Sequence, residues 1–292
     1  MNIACGIEYD GTNYHGFQRQ PEHHGPTVQG VLEGAIERIG GVFAVVNAAG
    51  RTDAGVHASG QVIHFRTNAR LTPEIWQRAL NAVLPTTIAV RWARDVPERF
   101  HARFSALSRA YRYTIWNDLA PTALRARYSY HYPHELDVDL MQEACHSLLG
   151  TRDFGAFGHS PEVKRLVPVQ PLWTGGPNAL DSSANPKGHT VASGSHHCIR
   201  TMLEACCVRD DAQRELIYCD FMANAFLTGQ VRRMVGTLLL VGQKRLSLEE
   251  FAVIVQRAEK GHPGSAAPPH GLCLVQVRYP ETFGVMNDDK DI

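Results

Sequence analysis

Lysine is scarce in this chain: of 29 basic residues, only Lys164, Lys187, Lys244, Lys260 and Lys290 are lysine, and 24 are arginine. Long apolar runs are missing as well. The most apolar stretch, Met234 to Gly242, is about half of the ~20 residues that cross a bilayer, which excludes a membrane-spanning helix. The seven cysteines (Cys5, Cys145, Cys198, Cys206, Cys207, Cys219 and Cys273) are odd in number and contain no C-x-x-C pair. Neither a disulfide framework nor a zinc site is signalled, and reduced cysteines point to the cytoplasm. The N-terminus has no basic segment and meets Glu8 and Asp10 at once, so no signal peptide is expected. There is no net charge, with 29 basic against 29 acidic residues, and therefore no global attraction to a polyanion.

The chain does have length and apolar content. Its 292 residues, 44% hydrophobic, suffice for a large core and exclude disorder as the dominant state. The 25 glycines follow no collagen-like period. Arginine presents a planar fork suited to phosphate, although a GC-rich genome gives the same bias. Eight arginines lie between Arg91 and Arg127 against Asp95, Glu98 and Asp118, a local basic strip able to bind RNA or simply to face water.

Periodicity predicts strands over Ile3–Tyr9, Phe43–Val46, Gln61–Arg66 and Thr87–Ala93. Helices are predicted from Val28, capped by Thr27 and ended by Gly40-Gly41, and from Pro73 to about Val83. A similar pattern follows. Strands are predicted over Ala110–Trp116, Met202–Arg209, Ile217–Ala223 and Leu272–Tyr279, and helices over Asp139–Leu149, Phe226–Val241 and Leu248–Ala258. Ser247 and Glu250 form a capping box for the last helix. The expected class is α+β: two similar lobes with mixed, largely antiparallel sheets. The division is residues 1–106, residues 107–286, and a frayed tail over 287–292. Residues 161–195 hold five of the sixteen prolines and read as an insertion.

The most informative stretch is Ala49-Gly50-Arg51-Thr52-Asp53-Ala54-Gly55-Val56-His57. It places one carboxylate on a glycine-flanked loop between strands, where a substrate can approach the backbone closely. Arg51 and Asp53 are two apart, so in an extended segment they point to one side, and the guanidinium would keep the carboxylate charged and oriented. The same residues also fit a turn-capping aspartate and a loop-tying arginine.

Gly50 to His57 followed by Gly60-Gln61-Val62 resembles the central motif of the TruA-type tRNA pseudouridine synthases. Other segments resemble that family in the same order along the chain. They are Glu8-Tyr9-Asp10-Gly11 with Phe17-Gln18-Arg19-Gln20, Asn81-Ala82 with Leu84-Pro85, and Phe100 to Ala106 with Arg109 and Tyr111-Arg112-Tyr113. Asn224-Ala225-Phe226-Leu227 with Val231-Arg232 and Val235-Gly236, and Gly271-Leu272 with Leu274-Val275, complete the set.

The resemblance implies an isomerase that turns uridine into pseudouridine at positions 38, 39 and 40 of the tRNA anticodon stem-loop, without cofactor or metal. Asp53 would be the catalytic carboxylate, attacking base or ribose. Tyr111 would lie against the target base, Arg232 would pair with Asp53, and Arg51 would hold the flipped nucleotide's place or its phosphate. Leu274 would pack on the base, and Arg103, Arg109 and Arg112 would contact phosphates. The resemblance further implies an RNA-binding cleft between two lobes of the pseudouridine synthase fold, and a homodimer that one tRNA touches on both subunits. Two features depart from the family's pattern: Thr228-Gly229-Gln230 before Val231-Arg232, and the 161–195 stretch between Asp153-Phe154 and Arg200-Thr201. A catalytically silent RNA-binding protein and a uracil-releasing nucleosidase are the rival readings.

Overall fold

The computed structural model describes residues 1–21, 25–158, 198–257 and 264–285. The 161–195 stretch and the tail from 287 lie outside the described residues.

The first half runs β1 (Asn2–Tyr9), α1 (Val28–Gly40), β2 (Asn47–Ala48), β3 (His57–Arg66), α2 (Pro73–Val83) and β4 (Ile88–Asp95). Local chemistry sets the helix ends. The Thr27 side chain accepts from Gly30 N–H, and Gly41 closes α1 with φ of 73°. Thr72 caps α2 ahead of Pro73, and Trp76 and Leu80 bury its apolar face. Trp76 meets Phe65 of β3 edge-on at 5.1 Å.

The second half runs β5 (Ser108–Trp116), β6 (Tyr130–His131), α3 (Val138–His146), β7 (Gly150–Asp153), β8 (Ile199–Arg209), β9 (Leu216–Ala223), α4 (Gln230–Gly242), α5 (Leu248–Arg257) and β10 (Leu272–Arg278). The capping box of α5 is formed: Ser247 N–H donates to the Glu250 carboxylate (2.8 Å) and Glu250 N–H to the Ser247 hydroxyl (3.2 Å). Helix α4 is buried nearly all round, as its composition demands.

Among the described residues the strands form one sheet in the order β4-β1-β3-β10-β5-β9-β8-β7, with β2 on β3 and β6 on β5. The last strand sits at the centre. It runs parallel to β3 through Cys273↔His57 and Leu274↔Ala58, and antiparallel to β5 from Leu272↔Tyr113 to Arg278↔Ser108. The two halves of the chain therefore share a sheet through β10, and the expected junction near residue 106 falls between β4 and β5.

Besides shifted ends in β3 and α3 and the unexpected β6 and β7, two elements differ from the sequence reading. Phe43–Val46 is not a strand; the pairing residues are Asn47 and Ala48. Side chains of α1 take the backbone instead: Val46 N–H donates to Glu33 (3.1 Å) and the Val46 carbonyl accepts from Gln29 (3.1 Å). Helix α4 begins at Gln230 rather than Phe226, because Gly229 has φ of 71° and breaks the helical run. Residues 224–229 are thereby left as a loop beside the sheet.

Candidate active site

The loop between β2 and β3 carries Asp53, and its backbone is fastened residue by residue. Ala49 N–H donates to the Val62 carbonyl (2.8 Å). Gln61, fully buried on β3, clasps Gly50 on both sides: its amide nitrogen donates to the Gly50 carbonyl (2.6 Å) and its amide oxygen accepts from Gly50 N–H (3.3 Å). The Tyr9 hydroxyl lies 2.8 Å from that of Thr52 and accepts from Gln61 Nε2 (3.4 Å). Phe17 N–H donates to the Thr52 carbonyl (3.0 Å), and Val56 N–H to that of Asp53 (3.2 Å). Gly50 packs closely on Tyr111: a Cβ there would stand 3.3 Å from its hydroxyl, a tight contact. A carboxylate on so constrained a loop is held in place before substrate arrives.

Asp53 opens into a cleft of about 560 Å³, within the range of small-ligand sites. Arg232, on the first turn of α4, reaches across from the second half. Its Nη1 lies 3.3 Å from Asp53 Oδ2, and its Nε donates to the Ala267 carbonyl (2.7 Å). Tyr111 of β5 faces the same cleft, almost buried, with the Phe226 ring edge-on at 5.1 Å and 86°. Burial, then Tyr9 and the Asp53 charge, push the Tyr111 hydroxyl well above the usual tyrosine range, with Arg109 opposing. The ring is therefore neutral at physiological pH. Arg51 and Arg103 also line the cleft; burial and the like charge of Arg103 pull Arg51 below the usual arginine value.

The structure thus brings Arg51, Asp53, Tyr111 and Arg232 together. The ion pair is Asp53 with Arg232; among the described residues Arg51 pairs with no carboxylate. The other sequence-based assignments fare differently. Arg103 lines the cleft. Arg109 reaches it too, but its guanidinium is buried and its five N–H groups all go to main-chain carbonyls. Nε and Nη2 donate to Ala49 (3.2 and 2.9 Å), Nη1 to Asn224 (2.7 Å) and Ala106 (3.3 Å), and Nη2 also to Arg103. No donor is left for the phosphate expected there. Arg112 follows Tyr111 on the strand and so points to the opposite face of the sheet. It makes a two-pronged pair with Asp220 (2.8 and 2.7 Å), and its Cζ lies over the Tyr218 ring at 4.6 Å. Leu274 is fully buried beside Tyr111, and Leu272 lines the cleft in its place.

Sequence reasoning missed Gln61 and Tyr9 as supports, and Phe226 and Arg200 as parts of the wall. Gln61, Tyr9 and Phe226 stand inside the resembling motifs, which was the available signal. Chemically, the described residues of the cleft offer one carboxylate, a neutral phenol and several arginines. Hydrolysis of a glycosidic bond ordinarily takes two carboxylates; a single one suits a reaction in which the detached group is retained.

A sequence profile described as tRNA pseudouridine synthase matches residues 6–105 and 186–280. The tRNA pseudouridine synthase A of Pseudoalteromonas atlantica is 39% identical over 285 residues, covering 98% of this chain and 95% of that protein. The one from Aeromonas hydrophila is 40% identical over 285 residues, covering 98% and 93%. The one from Moorella thermoacetica is 40% identical over 279 residues, covering 95% and 99%. The pinned Asp53 loop, its arginine partner and these full-length similarities lead to one conclusion: the chain belongs to the tRNA pseudouridine synthase family, isomerases that act on tRNA.

Proposed function

We propose that this chain isomerises uridine to pseudouridine at positions 38, 39 and 40 of the tRNA anticodon stem-loop, with Asp53 as the catalytic carboxylate. One observation chiefly supports the role of Asp53. It is the carboxylate on a fastened loop, 3.3 Å from Arg232, in a cleft whose lining includes Arg51, Arg103 and Tyr111. The C1′–N1 bond of the uridine breaks, the uracil turns, and C5 bonds to C1′. The proton lost from C5 is balanced by the one N1 gains, so no oxidant or co-substrate is consumed. Asp53 attacks base or ribose, and both routes need a single carboxylate held ready. Arg232 fixes one oxygen of that carboxylate. Tyr111 presents its face to the extruded base, and its neutral hydroxyl is available to donate a hydrogen bond. Arg51 and Arg103 meet the flanking phosphates. The further assignments are a homodimer with one tRNA touching both subunits, and a cytoplasmic setting; in keeping with the latter, no helix among the described residues is long and apolar enough to cross a membrane.

The test is tritium release from tRNA carrying C5-tritiated uridine, with site mapping of the product. Wild type is expected to release tritium and Asp53→Ala to release none, while Asp53→Ala keeps its fold and its tRNA binding. Turnover by Asp53→Ala removes the nucleophile assignment. Free uracil as product makes the protein a nucleosidase, and bound but unaltered tRNA makes it a binding protein.

A further inference from the structure

Among the described residues Arg109 is a buried cation with no carboxylate beside it: each of its five donors ends on a main-chain carbonyl. Taking a charge out of water is costly unless every hydrogen bond is made, as it is here. What the guanidinium does is join several segments of the cleft wall at one point. The Ala49 carbonyl begins the loop that carries Asp53 four residues on. The Asn224 carbonyl follows β9 and begins the loop whose Phe226 stands edge-on to Tyr111. The Arg103 carbonyl belongs to the segment whose side chain lines the cleft. Arg109 itself stands two residues before Tyr111 on β5, on the same face of the strand.

We propose that Arg109 is a positioning residue for the isomerisation: its planar fork fixes the distance between the Asp53 loop and the Tyr111–Phe226 wall. The argument rests on the reading of Asp53 as the catalytic carboxylate. The fork matters more than the charge. A lysine at this place keeps the charge but offers three donors on one atom, and cannot span Ala49, Arg103, Ala106 and Asn224 together. Freed from the clamp, the Asp53 loop keeps its Gln61 and Tyr9 contacts, so it remains folded but loses its register with the opposite wall.

The experiment compares wild type, Arg109→Lys and Arg109→Ala in single-turnover and steady-state tritium release, with Asp53→Asn as the control for the underlying reading. Misplacement of a reacting group by about 1 Å costs on the order of 100-fold in rate. Arg109→Lys is therefore expected to lose about 100-fold in kcat, with KM for tRNA changed less than about 3-fold. The slope of log affinity against log salt is expected to match wild type, and added guanidinium to restore turnover to Arg109→Ala. A raised KM with kcat unchanged, and a salt slope lower by about one, makes Arg109 a phosphate contact and overturns the proposal. A lower unfolding temperature with normal kcat, or a variant that stays unfolded in guanidinium, makes it a residue of stability alone and overturns it equally. Turnover by Asp53→Asn instead marks the failure of the carboxylate reading.

Discussion

At the scale of single residues, the arginines show how much one side chain's meaning depends on its surroundings. Arg51, Arg103, Arg109, Arg112 and Arg232 look alike in a sequence, and all five stand in one short basic run or a matching motif. The fold gives them separate tasks: Arg232 on Asp53, Arg112 on Asp220 across the sheet, Arg109 on carbonyls. Histidine offers a test at the same scale. His64 is buried on β3, its Nδ1 accepting from Ala102 N–H (3.1 Å). Burial first, then the charges of His101 and Arg66, push its pKa down from 6.5 to about 4. The folded protein thus resists a proton that the unfolded chain accepts. Stability is full above pH 6.5 and declines as pH falls towards about 4. For a shift of this size the loss is about 3 kcal/mol. Urea unfolding of wild type and His64→Gln across this range is expected to give a shallower decline in the variant. Identical slopes would assign the decline to other groups.

At the scale of elements, caps and periodicity carried the helices. Thr27, Thr72 and the Ser247–Glu250 box each start a helix where the sequence places them. Edges decided by side chains from elsewhere were illegible, as Val46 shows through its bonds to Glu33 and Gln29. Helix α4 yields a paired prediction. Gly229 precedes it with φ of 71° and open space around it, so Gly229→Ala is expected to cost about 1–2 kcal/mol from the backbone alone. Gly236 lies against the Ser265 carbonyl, and a Cβ there would collide with main chain. Gly236→Ala is expected to cost about 1–3 kcal/mol as overpacking. It also displaces the segment whose Ala267 carbonyl holds Arg232. Chemical denaturation measures both costs, and tritium release is expected to fall at Gly236→Ala and persist at Gly229→Ala. Equal activity in the two would separate Arg232 from that segment.

At the scale of the molecule, β10 is the strand on which both halves depend. It pairs with β3 of the first half and β5 of the second, although it is the last strand in the chain. A chain ending at Gly271 is expected to lose cooperative thermal unfolding altogether. Two separate transitions would instead show halves that fold alone. Central placement of a terminal strand has no local signature. Leu272 to Arg278 alternates as any strand does, and its neighbours are chosen by contacts well over a hundred residues away.

The sequence by itself determined the α+β class, most of the helices and strands, and the loop bearing Arg51 and Asp53, because these follow from periodicity, capping and a long ordered set of motifs. It also named Tyr111 and Arg232, through the motifs around them. The motifs also implied the Asp53–Arg232 pair, which the fold closes across 179 residues. Only the tertiary structure decided what the other arginines meet: it turned Arg112 to the far face and enclosed Arg109 among carbonyls. The physical reason is one of range: backbone preferences act over a few residues, whereas burial and hydrogen bonding act on whatever the sheet brings within about 3 Å.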